Sequence, residues 1–131
     1  MKLHRFFIFG IILFLISACK LERAYSNLRA VNSSYNVNYE DVITNIYVSS
    51  GATNDNYVSV WNGKLKSGNS ILIKIDSGNY GVKFTGTRYY TSGIEKPIDV
   101  STGYKSPIRF ADFWTFKLIF DGDGLYAKEE D

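Results

Sequence analysis

The chain has 131 residues, 15 lysines and arginines against 13 acidic residues, and a formal net charge of +2, too little to provide the basic field that nucleic-acid binding requires. It holds a single cysteine, Cys19, and a single histidine, His4, both near the amino terminus. An internal disulfide is therefore excluded. If a leader containing His4 is removed, so are histidine-dependent nucleophilic or acid–base catalysis and the usual zinc sites.

Residues 1–18 predict such a leader: Lys2 and Arg5 precede an apolar run over residues 6–16, too short for an ordinary transmembrane helix, and small residues follow. Its end, Ile16-Ser17-Ala18-Cys19, resembles the lipobox of bacterial lipoproteins. The resemblance implies that Cys19 receives a diacylglyceryl group and becomes the acylated first residue of the mature protein. Each buried methylene contributes about 0.8 kcal/mol, so one acyl chain holds marginally and two or three anchor stably. Lys20, in place of the aspartate that retains some lipoproteins in the inner membrane, implies an outer-membrane destination by the same analogy. Loss of Lys2 and Arg5 leaves the mature part near neutrality. Its lysines, Lys64, Lys66, Lys74 and Lys83 among them, are dispersed among strand and turn signals.

Residues 19–29 are expected to be the lipidated cysteine and a tether, with Leu21, Ala24, Tyr25 and Leu28 at spacings compatible with a short helix. Residues 30–131 then read as one β domain, rich in β-branched and aromatic residues and punctuated by glycine, asparagine and serine. A weak strand is expected over 30–38. The run 42–48 alternates with Val42, Ile46 and Val48 on one face, and 70–76 aligns Ile71, Ile73 and Ile75. Ser77-Gly78-Asn79 predicts a hairpin turn into a strand carrying Tyr80, Val82 and Phe84.

Weaker strands are expected over 57–61, 88–91, 94–100 and 105–110, with Pro97 and Pro107 placing the last two at edges. Over 113–120, Trp114, Phe116, Leu118 and Phe120 form the predicted core face. An aspartate-glycine turn then leads to a short strand over 125–127, and the acidic tail 128–131 is expected to fray. These elements predict an all-β fold with a single antiparallel β-sandwich, a small barrel being the alternative.

The succession Ile46-Tyr47-Val48-Ser49, Trp61, Leu65-Lys66-Ser67-Gly68-Asn69-Ser70 and Ile73-Lys74-Ile75-Asp76-Ser77-Gly78-Asn79-Tyr80 is similar to a pattern in small exported bacterial β-sandwich domains. It covers about a third of the chain. The resemblance implies the fold and transfers no catalytic residue.

Three features are candidates for chemistry or recognition. Asp121-Gly122-Asp123-Gly124 has the look of a cation loop, but Leu125 and Tyr126 occupy positions where an EF-hand requires a ligand and a glycine, and a turn is the simpler reading. The polar loop 49–56, including Asn54, Asp55 and Asn56, with Tyr57 and Trp61 beside it, is either an edge for a sugar or peptide or, as for most polar loops, a plain connection, with Trp61 equally explained as a core anchor. Tyr89, Tyr90 and Tyr104 lie near turns, and alternation places one of the adjacent pair outward. The carboxylates available to a hydrolase, Glu40 with Asp41 or Asp112 with Asp121, have no spacing that brings them together. The expected protein is a membrane-anchored, non-enzymatic interaction module without a cofactor, in contact with a protein or glycan of the bacterial envelope. A carboxylate-dependent hydrolase, a calcium module and a structural subunit of an envelope complex are the alternatives.

Overall fold

The computed structural model describes residues 24–50, 56–103 and 106–129; the expected leader, Cys19, Asn54, Asp55, Tyr104 and the last two residues of the tail lie outside the described residues. Nine strands occur among those described: β1 (Tyr25–Asn32), β2 (Tyr39–Ser50), β3 (Val58–Lys66), β4 (Asn69–Asp76), β5 (Gly78–Tyr90), β6 (Glu95–Ser101), β7 (Ile108–Phe110), β8 (Thr115–Phe120) and β9 (Leu125–Glu129). They form two sheets, β4-β1-β8-β9 and β3-β2-β5-β6, with β7 pairing the start of β5 beyond the end of β6. The sheets pack face to face as a β-sandwich, with no closed barrel among the described residues.

Alternation builds the core from both sides. The first sheet contributes Leu28, Ala30, Ile73, Ile75, Leu118 and Phe120; the second contributes Ile43, Ile46, Leu65, Val82, Phe84, Ile98 and Phe110. Each fully buried large apolar side chain contributes roughly 1.5 to 3 kcal/mol relative to exposure. Tyr80, Phe110 and Phe116 are joined through ring contacts at centroid separations of 5.9 and 5.2 Å.

Several expectations change. Residues 25–29 are not tether but most of β1, with Ser26, Leu28, Ala30 and Asn32 all buried on its inward side, and the strand expected over 30–38 ends at Asn32. β1 also pairs in parallel with β8, whereas the other strand pairs are antiparallel. In β2 a bulge at Thr44 shifts the register between Ile43 and Asn45. It puts Ile43 and Ile46 into the core cluster and leaves Val42 on the other side. The bulge needs Gly86 opposite, where a Cβ atom would lie 2.0 Å from the Val42 carbonyl oxygen.

The turn at Ser77-Gly78-Asn79 is not a hairpin. β4 belongs to one sheet and β5 to the other, so the chain turns a corner there, using Gly78 at φ 155°. Ile73, Ile75, Val82 and Phe84 face the same core from opposite sheets. Residues 88–90 continue β5 and are not a separate strand. β8 starts at Thr115, which leaves Trp114 outside the core and 56% exposed. Pro97 does lie on an edge strand, β6, and β8 and β9 form the expected hairpin.

Candidate interaction site

The strand directions give the sandwich two distinct ends. At one, β1 begins at Tyr25, β4 ends at Asp76, β5 begins at Gly78, and the turn before β8 carries Phe113 and Trp114. β2 also finishes at this end, since Ser50 pairs with Tyr80. Ser50 and Val58, which flank the loop proposed for recognition from sequence, therefore lie at the end where β1 begins. The opposite end carries the connections at residues 33–38, 67–68, 91–94 and 121–124.

Among the residues expected at the polar loop, Asn56 is exposed and Tyr57 is half-buried. The Lys83 ammonium lies 5.3 Å from the Tyr57 ring centre, 5.9 Å from that of Tyr47, and 3.8 Å from the Asp99 carboxylate. Trp61 packs against the core on edge strand β3. Its ring covers Gly63, whose hypothetical Cβ would sit 2.6 Å from Trp61 Cζ2. Trp61 thus packs as a core anchor, and the rest of the expected edge includes residues 51–55, outside the described residues.

The carboxylates expected to pair are not brought together. Glu40 is exposed and its neighbour Asp41 is buried, as adjacent strand positions require. Asp112 and Asp121 flank opposite ends of β8. Asp121 instead closes the β8–β9 turn, its Oδ1 accepting hydrogen bonds from the amides of Asp123 at 2.9 Å and Gly124 at 3.0 Å. Those amides hold its carboxyl below the ordinary aspartate value. Among the described residues no group of three or more metal-ligating side chains gathers.

A polar network that the sequence reading missed braces the far end. Arg88 grips Asp41 with two bonds, Nε to Oδ1 at 2.8 Å and Nη2 to Oδ2 at 2.9 Å, and donates from Nη2 to the Gly122 carbonyl at 2.7 Å. Ser34 Oγ donates to the same carboxylate at 2.5 Å. Asn32, fully buried, donates to the carbonyls of Asp41 and Leu65, both at 2.9 Å, and its Oδ1 accepts from the Ser34 amide. The bond to Asp41 is the main cause that raises the affinity of Arg88 for its proton. The guanidinium also lies over the Tyr39 ring at 3.9 Å. The signal available in the sequence was the charge at position 41 in the inward phase set by Ile43; its partner, 47 residues away, was not readable from spacing.

Above this brace stand the exposed apolar residues Tyr35 and Val37 on the β1–β2 connection and Tyr89 and Ile94 at the β5–β6 hairpin, with Tyr35 84% and Val37 75% exposed. Tyr89 is the outward member of the adjacent tyrosine pair, as alternation requires. The two connections are joined to each other: the Thr91 amide donates to the Asn38 carbonyl at 2.9 Å, and Tyr39 meets Tyr90 edge-on at 5.5 Å. Asn38 is itself set by a bond from its amide to Asn36 Oδ1, and Gly93 donates to the Tyr90 carbonyl. A cleft of about 210 Å³ opens beside this tip, with Arg88, Tyr90, Lys96, Ile98 and Phe120 in its walls. It is smaller than the cavities that enclose whole small-molecule ligands. Comparison of the chain with protein-family models, with curated proteins and with solved structures found no match.

Proposed function

We propose that this chain is a lipid-anchored lipoprotein of a bacterial envelope whose β-sandwich is a non-enzymatic protein-binding module. Its contact surface is the tip formed by Tyr35, Val37, Tyr89 and Ile94. The observation that carries this reading is the polarity of the domain: the chain enters at one end, and a set of exposed apolar side chains on mutually bonded connections stands at the other. A lipid at Cys19 would turn that tip away from the bilayer, toward a partner. Loops held in place before binding lose less entropy on association, and tyrosine supplies contact area with few rotatable bonds. The small cleft suits one inserted side chain of a partner better than an enclosed substrate. Lys20 after the lipobox supports an outer-membrane destination.

The test is site-specific photo-crosslinking in the producing cells, with the reactive group at position 35 or 94 and a control at exposed Lys64 on β3. The reading expects one discrete adduct from 35 and 94, none from 64, and loss of the adduct from 35 when Ile94→Ser is introduced. Acyl labelling of the full chain should disappear in Cys19→Ala. Absence of any adduct from either tip position, together with turnover of an envelope substrate by the purified protein, would replace it with the hydrolase reading. A calcium-dependent rise in melting temperature lost in Asp121→Asn would support the calcium module.

A further inference from the structure

We infer that the chain-entry end carries a second membrane contact: Tyr25, Phe113 and Trp114 seat in the interfacial layer of the bilayer that holds the Cys19 lipid. This inference rests on the lipid-anchor reading. Phe113 is 70% exposed and Trp114 56% exposed, yet the backbone of both is hydrogen-bonded to β1. The Phe113 amide donates to the Tyr25 carbonyl at 2.7 Å. The Trp114 carbonyl accepts from the Asn27 amide and from Ser26 Oγ, each at 2.9 Å. Phe113 has φ 62°, the one positive value at a non-glycine position among the described residues. Such strain persists only where the surroundings over-determine it, and here it holds an aromatic ring out of the core.

Two of these rings are in contact, and Trp114 follows Phe113 directly in the chain. Phe113 meets Tyr25 edge-on at 5.3 Å, and the Lys74 ammonium stands 4.1 Å from the centre of the Tyr25 ring. Tryptophan and tyrosine favour the membrane–water boundary because an apolar ring and a polar handle match its two sides, and a lysine stem lies along the apolar surface with its charge in the headgroups. Position in the chain selects a bilayer over other occupants. Six peptide units separate Cys19 from Tyr25, and even fully extended they span only about 21 Å. A lipid on Cys19 would therefore confine this patch close to the surface, at a high effective concentration.

The test uses the full-length protein extracted from membranes and reconstituted into phosphatidylethanolamine and phosphatidylglycerol vesicles, with or without brominated acyl chains. The chain has two tryptophans, Trp61 and Trp114, so Trp61→Phe isolates the emission of Trp114. The difference between the unaltered protein and Trp114→Phe gives the same quantity without touching a packed residue. The expected result is a blue-shifted Trp114 emission that falls by about half or more in brominated vesicles, as for an interfacial ring, with Trp61 unquenched. The mass of the amino-terminal peptide reads the anchor separately. Acylated Cys19 with unquenched Trp114 would overturn the inference and leave the anchor standing, whereas unmodified Cys19 would overturn both. Unquenched emission that shifts blue with protein density would assign the patch to a second copy of the chain, and would also overturn it.

Discussion

Among single residues, one buried carboxylate ties together three separate segments of the chain. Asp41 has no exposed side-chain surface, and its charge is met by the Arg88 fork and the Ser34 hydroxyl. Removing one partner of such a pair leaves a charge with neither water nor counter-ion, so Arg88→Met is expected to destabilise the domain by about 3 to 5 kcal/mol. Arg88→Lys keeps the charge but cannot reproduce two parallel bonds to Asp41 together with the one to the Gly122 carbonyl, and should fall between the parent and Arg88→Met. Urea unfolding of the three proteins checks the order. Equal stability of Arg88→Met and the parent would remove the brace from the account of the tip. Gly86→Ala tests a different constraint. Its methyl would have to occupy the space of the Val42 carbonyl, so the bulge in β2 must reorganise, and a loss of several kcal/mol is expected on the scale of overpacked and strained sites.

At the element scale, the β8–β9 turn gives a pH dependence whose direction is determined. Hydrogen bonds from the Gly124 and Asp123 amides lower the folded pKa of Asp121. A depressed carboxylate stabilises the folded turn above its unfolded pKa, near 3.9 for aspartate, and that contribution is lost as pH falls through the lower folded value. Amide hydrogen exchange at Asp123 and Gly124, corrected for intrinsic rates, should lose protection through that acid range, and Asp121→Ala should abolish the pH dependence. The neighbouring strands carry a second testable feature: Lys117 is registered between Arg29 on β1 and Lys128 on β9. Like charges directly opposite destabilise a sheet, so Lys117→Glu should raise stability by about 0.2 to 1 kcal/mol, less at high salt. A neutral or destabilising result in urea unfolding at low salt would show that these side chains avoid one another.

The same elements mark what was legible in the chain. Ile71, Ile73 and Ile75, then Tyr80, Val82 and Phe84, were readable because period-two alternation reports which residues face a core. It does not report which sheet carries them, so a hairpin and a corner at Ser77 look alike, and the corner was missed. The Thr44 bulge was hidden for a related reason: one extra residue reverses the phase within β2, and a continuous reading assigns Val42 to the wrong side. Trp114 was read inward by extending the β8 pattern one step past the strand. The Asp-Gly turn succeeded because its chemistry is local, whereas the Asp41–Arg88 brace and the joining of residues 33–38 to 91–94 are long-range facts that composition and spacing do not encode.

At the scale of the whole molecule, the two ends are separable because the core lies between them. Tyr35 and Ile94 lend little to that core, since their side chains stand largely in solvent, whereas Leu118 is 1% exposed and central to the first sheet. Tyr35→Ser combined with Ile94→Ser is therefore expected to leave unfolding free energy within about 0.5 kcal/mol of the parent. Leu118→Ala should cost about 2 to 5 kcal/mol through lost burial and a residual cavity. The proposed binding role then predicts a dissociation that stability alone cannot produce. The tip variant should keep its fold and its membrane fractionation while losing the crosslinked adduct, here read from a reactive group at position 37. The core variant should lose the adduct only in proportion to the unfolded fraction measured in the same preparation. If the fully folded tip variant keeps the adduct, the contact surface lies elsewhere on the sandwich, and the exposed outer face of the β4-β1-β8-β9 sheet, with Leu72 and Tyr126, becomes the next place to substitute.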